Sequence, residues 1–206
     1  MRDRPRIAVV LLLAAVAGFV DAAGYLLLGG VFVAHITGNA SHVGQRVGVG
    51  DLHAALPAVA MIGLFVASIA VATAAIDRLP GPRPAALGAE AVLLSVLAAV
   101  PAGFWVRLAL AVCAMGVQTA AVTKLGKRTI RTTYLSGMAT RLAQSVVRAD
   151  RAGAAIYAGL VVVFVAGAAA GAFAFTRLGV PAFGIAAAAV AVGLAIEVSS
   201  FTGPER

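Results

Sequence analysis

Charge is scarce in this chain. Only 12% of its 206 residues are charged, about half the share of a soluble domain. The rest is 62% hydrophobic, with a mean hydropathy of +1.01. Several apolar runs approach the roughly 20 residues that cross a bilayer as a helix. Together these exclude an ordinary soluble domain and predict an all-α, polytopic membrane protein. A β-barrel is excluded as well, because barrel strands alternate apolar and polar residues over short segments. Here the runs are continuous and rich in Ala and Leu.

Other absences narrow the chemistry. Cys113 is the single cysteine, so no internal disulfide can form, and its place inside an apolar run says nothing about redox compartment. There is no Gly-rich phosphate cradle, no nucleophile elbow and no HExxH. Ser41 and His42 are adjacent, a weak pairing for nucleophilic catalysis. His35 and His42, seven apart, match no metal-ligand spacing; they read as interfacial histidines, with pH sensing as the alternative. The expectation is therefore no enzyme, no catalytic residue, no metal and no cofactor. The formal net charge of +8 would suit nucleic acid, but the basic residues lie between apolar runs and not along one soluble face. They predict contact with the lipid bilayer and no nucleic acid.

What is present reads as about six spans, at roughly 7–29, 53–76, 86–103, 105–125, 153–175 and 180–201. Pro80, Pro82 and Pro84 break the chain between the second and third, and a tight turn at Gly103–Phe104 joins the third and fourth. The start, "MRDRPRIAVVLLLAAVAGFVDAA", has features of a signal peptide, with Ala22 as the cleavage alternative. The apolar pattern runs on past Asp21 to Phe32, which favours a retained span. With the N-terminus inside, 13 of the 16 Lys and Arg residues fall in inner segments. Arg46, Arg107 and Arg177 are the outer three. The positive-inside rule then predicts cytoplasmic termini.

A shift of 99 residues superposes much of the sequence on itself. Gly38 falls on Gly137, Ala40 on Ala139, Asp51 on Asp150, Phe65 on Phe164, Arg78 on Arg177 and Pro82 on Pro181. Thr37 meets Ser136. With a two-residue gap, Gly29 pairs with Gly126 and Asp21 with Gln118. The chain thus reads as one membrane domain, 1–206, made of two repeats, 1–103 and 104–206. Each holds three spans. An odd number inserts the second repeat upside down, the inverted-topology arrangement of many secondary transporters.

The candidate site residues follow from that symmetry. "HITGN" and its copy "YLSGM" are small polar knots after the first span of each repeat, expected at opposite mouths as re-entrant turns or as interfacial loops. Thr37, Asn39 and Ser136 would satisfy freed backbone groups there, Gly38 and Gly137 would permit tight turns, and His35 opens the first knot. Asp21 lies deep in the first span, where a carboxylate is costly and must face the protein interior. It is the candidate for proton coupling, or else a cap for a broken helix. Gln118, its partner, can donate and accept hydrogen bonds but not titrate. Glu90 and Glu197 are expected to snorkel to the interface, with Glu90 the better functional candidate. Gly167 and Gly171 form a small-residue face, echoed by Ser68 and Ala72, that suits close helix packing or a homo-oligomer.

"GFVDAAGYLLLGGVFVAHITGN" followed by "AMGVQTAAVTKLG…TTYLSGMATRLAQ" resembles the YoaK family of bacterial integral membrane proteins. That family usually shows Asn at the position of Thr119, and often Asn or Met at that of His35. The resemblance implies a bacterial inner-membrane protein of about six spans and supplies no substrate. The expected function is a small-solute transporter or facilitator, its central site lined by Asp21 and Gln118. A channel-like pore and a non-transporting assembly or lipid-binding protein are the alternatives.

Overall fold

The computed structural model describes residues 3–78, 82–121, 123–125, 128–130 and 132–202. The expected break at Pro80, the counterpart of Gly29 at Gly126, and the basic residues Arg2, Lys127, Arg131 and Arg206 lie outside the described residues. In chain order the elements are α1 (Asp3–Leu27), α2 (Ile36–Gly48), α3 (Leu52–Ile76), α4 (Pro82–Ala99) and α5 (Phe104–Ala120). A two-stranded antiparallel ribbon follows, β1 (Thr123–Leu125) and β2 (Arg128–Ile130). Then come α6 (Leu135–Val147), α7 (Arg151–Leu178), a 3-10 turn (Val180–Ala182) and α8 (Phe183–Thr202).

Among the described residues, four segments are long and apolar enough to cross a membrane: Arg6–Leu27, Leu52–Ile76, Arg151–Leu178 and Val180–Ser199. The other two expected spans form shorter apolar helices, Pro84–Ala99 and Phe104–Ala120. At 1.5 Å per residue each is about 25 Å long, somewhat under the hydrocarbon thickness. The ends differ from expectation for local reasons. Beyond Leu27, Gly29 and Gly30 take φ of 63° and 103° and turn the chain back. Beyond Ala120 the chain enters the ribbon, five residues before the expected end.

The two polar knots are not irregular turns. Each begins a 13-residue helix, and the two helices start and stop 99 residues apart. Their flanks repeat too. His35 and Tyr134 precede them with φ/ψ of −95°/76° and −108°/74°. Gly50 and Ala149 then adopt the same left-handed turn, φ 78° and 55°. Asp51 and Asp150 cap the following long helices, accepting from the N–H of Ala54 (3.1 Å) and Gly153 (2.9 Å). Capping of this kind satisfies one of the amides a helix start leaves free.

Helix α1 is the axis of the bundle. In its most apolar window 67% of residues are buried, against 22% in α3 and in α7. It packs on α7, α8 and α5; α3 packs on α5, α2 and α4; α4 packs on α5 and α8; α6 packs on α7. The α1–α7 contact is a close backbone approach. A side chain at Gly167 would overlap the Ala15 backbone, one at Gly171 the Phe19 backbone, and one at Gly18 the Phe164 carbonyl. Advancing along α1 advances along α7, so these helices run parallel. The small-residue face at Gly167 and Gly171 is therefore filled by α1 of the same chain. Its echo behaves alike: Ser68 of α3 lies against Gly116 of α5.

Two expectations about charge are corrected. Glu90 is 0% exposed and Glu197 2%, so neither snorkels. Helices α4 and α8 pack side by side, antiparallel, with Gly88 beside Leu194 and Gly184 beside Ala98. Both glutamates are enclosed by the helices packed around them and do not reach the protein surface.

Candidate functional site

Asp21 sits six residues before the end of α1 and is 7% exposed. Its Oδ1 accepts two backbone hydrogen bonds, from the N–H of Val33 and of Ala34, both 2.9 Å. The segment after α1 has folded back along the helix, and the carboxylate holds it there. Asn39, 1% exposed, closes the same segment from the other side. Its Oδ1 accepts from Phe32 N–H (3.1 Å) and its Nδ2 donates to Phe32 C=O (2.7 Å), a paired amide-to-amide contact. Tyr25, Phe32 and His35 stack in a row, with ring centroids 4.5 and 5.3 Å apart. Asp21 and Asn39 thus fix the approach to α2.

The second half does the same with different groups. Gln118 Nε2 donates to Thr132 Oγ1 (2.7 Å) and to the Leu13 carbonyl of α1 (2.8 Å). Thr132 is the counterpart of Val33 at the offset of 99. Thr119 Oγ1 bonds the Met115 carbonyl (2.7 Å) and Thr133 Oγ1 (2.8 Å). Gln118 Oε1 is buried with no hydrogen-bond partner among the described residues. Asp21 and Gln118 are not bonded to each other among the described residues, and neither lines the cavity that they brace.

What these supports position is a cavity of about 310 Å³. Ala34, His35, Ile36 and Thr37 line it from one half, and Thr133, Tyr134, Leu135 and Ser136 from the other. These are four pairs at the offset of 99. Phe65 and Ile69 of α3 and Thr119 of α5 complete the wall. The two knots, expected at separate mouths, share one chamber. Phe65 is the fourteenth residue of a 25-residue helix, so the chamber lies near the middle of α3.

The chemistry of the chamber is set by two helix starts. Neither α2 nor α6 has a side-chain cap, in contrast to α3 and α7. The first-turn amides of both are thus free of side-chain partners, at the positive ends of two helix dipoles. The hydroxyls of Thr37, Thr119, Thr133, Tyr134 and Ser136 and the His35 imidazole stand around them, and among the described residues no acidic side chain lines the cavity. Gly38 and Gly137 have a specific use here. Each lies under the ring of the residue three before it, His35 or Tyr134, where a Cβ would collide. They let the rings fold over the helix starts.

Of the expected site residues, His35, Thr37 and Ser136 line the chamber. Gly38 and Gly137 shape it, and Asp21, Asn39 and Gln118 brace it. Glu90 lies elsewhere, in α4. Thr133 and Tyr134 were not singled out by the sequence, and Thr119 stood out only as a departure from the family pattern. Their signal was the offset itself, since Tyr134 and Thr133 pair with His35 and Ala34. Among the described residues no group of three or more His, Cys, Asp or Glu is placed to hold a metal.

No solved structure matches this chain. A curated relative, the UPF0700 transmembrane protein YoaK of Bacillus subtilis (strain 168), is 31% identical over 147 residues, covering 66% of this chain. The matched stretch spans 64% of that relative's length. Residues 9–196 match the family described as "Protein of unknown function (DUF1275)". With that match over most of its length and the YoaK likeness beside it, the chain belongs to this family, as a helical membrane protein.

Proposed function

We propose that this membrane protein carries a small solute, and that the solute binds in the chamber where α2 and α6 begin. The observation that carries the reading is the lining: two uncapped helix starts, equivalent at an offset of 99, facing one cavity of about 310 Å³. Free amides at a helix start favour anions and hydrogen-bond acceptors. With no acidic side chain on the wall, the expected cargo is a neutral or anionic solute rich in acceptor oxygens. Discontinuous helices meeting near the midplane are how many secondary transporters build their sites.

Two inverted units, 1–103 and 104–206, underlie the proposal. Helix packing supports it. Exchange α1 with α5, α2 with α6, α3 with α7 and α4 with α8, and the larger helix contacts map onto themselves, the minor α3–α4 contact excepted. The α1–α7 pair becomes α5–α3, α1–α8 becomes α5–α4, and α2–α3 becomes α6–α7. The α4–α8 pair becomes itself, and these two equivalent helices run antiparallel, as a twofold axis in the membrane plane requires. Parallel α1 and α7 bring Arg6 and Arg151 to one face, which the positive-inside rule assigns to the cytoplasm of a bacterial inner membrane. Both termini then lie inside.

The test is binding and uptake. Purified protein would be screened by thermal shift against a panel of small organic anions and polyols. Hits would then be followed into proteoliposomes. Ser136→Trp, which fills the chamber from an exposed position, is expected to reduce uptake at least about tenfold, a loss of roughly 1.4 kcal/mol in recognition, with the protein's own melting temperature little changed. Uptake unaltered by Ser136→Trp would refute the chamber as the site. Flux that never saturates would favour a channel instead.

A further inference from the structure

We propose that Glu90 is a proton-binding site, closed to water while the two units pack together and open to proton exchange when they part. The proposal rests on the carrier reading only for its use, since the site itself is defined by geometry. Glu90 lies mid-helix in α4 and is 0% exposed. Neither carboxyl oxygen has a hydrogen-bond partner among the described residues. Its neighbours along the same face of α4, Leu87, Leu94 and Leu97, are all buried.

The elements packed on α4 offer no cation at this height. Helix α8 carries one titratable residue, Glu197, and the 3-10 turn none. Helix α5 carries Arg107 and Cys113. Arg107 is in the first turn of α5, beside the far end of α4, whereas Glu90 is nine residues back from that end. Helix α3 carries only His53, at its start. An ionised carboxylate without donors cannot be held in such surroundings, whereas the neutral acid can. Asp21 is the opposite case. Its carboxylate is engaged by two N–H donors, which suits a permanent brace and not a proton carrier.

Position gives the site its use. Helix α4 belongs to the first unit and packs on α8 and α5 of the second, so any rocking of one unit on the other changes access to Glu90. A proton taken up from water by the opened carboxylate would be sealed in as the helices close.

The test needs no known solute. Infrared spectra of the reconstituted protein, in a Cys113→Ser background, would be titrated with pH. The expected result is a protonated-carboxyl band at neutral pH that titrates, is absent from Glu90→Gln and is kept, shifted, in Glu90→Asp. Locking α4 to α8 with a disulfide between Ala98→Cys and Gly184→Cys, whose Cβ atoms would stand 3.7 Å apart, should make the band insensitive to external pH, and reduction should restore the response. No such band at neutral pH would overturn the proposal. So would a band that never titrates in the unlocked protein, or one that titrates equally when locked. Failure to find uptake of any solute would count against the carrier reading and leave these outcomes as they are.

Discussion

Replacing Gly167 by alanine is expected to damage this protein as much as any single methyl group added to its helices. Lipid is as apolar as leucine, so helices in a bilayer associate through close packing and hydrogen bonds, with no gain from hiding apolar surface from water. Helix α1 is the innermost helix, and its approach to α7 depends on Gly18, Gly167 and Gly171. The obstacle at Gly167 is the Ala15 backbone, which cannot swing aside as a side chain can. Overpacking of this kind costs about 1–3 kcal/mol, sometimes more, and a melting temperature lower by roughly 5–10 °C is expected. The control is Gly63→Ala in α3, where nothing lies within 4 Å of an added Cβ. It should be neutral or stabilising by up to about 1 kcal/mol, the helix preference of Ala over Gly. Thermal unfolding followed by monodispersity in detergent would compare the two. Equal melting temperatures would show that α1 and α7 do not approach as closely as described.

Replacing Asp21 by leucine is expected to be as severe, for a different reason. It leaves the buried N–H of Val33 and the N–H of Ala34 without acceptors, at about 1–3 kcal/mol each. The segment leading into α2 would lose its anchor, and with it one wall of the chamber. Asn keeps an oxygen where Oδ1 stands and is expected to preserve folding. The pair separates a brace from a proton carrier. If Asp21→Asn were as destructive as Asp21→Leu, the negative charge itself, and not the two hydrogen bonds, would be what the fold needs.

The long helices were legible in the sequence because each is an uninterrupted apolar run, and their observed starts and ends fall within a few residues of those expected. The short helices were not. Residues 36–48 and 135–147 are rich in Gly, Thr, Ser and Gln, a composition that reads as a loop when taken alone. Their matched offset was the trace of their helical form, visible as pairs such as Gly38 with Gly137 and Asp51 with Asp150. The role of Asp21 was only half legible. Its depth marked it as buried, but its partners are 12 and 13 residues on, brought back by a turn at Gly29 and Gly30 that no periodicity announces. Glu90 looked free to snorkel because the sequence does not reveal that α8 lies across α4. The chamber was hidden for a related reason. Two knots 99 residues apart read as two mouths until the fold-back after α1 and after α5 brings both helix starts to the same depth.

That meeting of α2 and α6 is what the whole account depends on, and a cross-link tests it most directly. Thr37→Cys and Ser136→Cys would be combined in a Cys113→Ser background and treated, in native membranes, with a short bifunctional thiol reagent. Both side chains line one cavity of about 310 Å³, so the account predicts an efficient cross-link within a single chain, detected after cleavage of the loop between the two sites. Cysteines that each react singly but never join would mean that the two helix starts open on separate compartments, and the shared chamber would have to be abandoned.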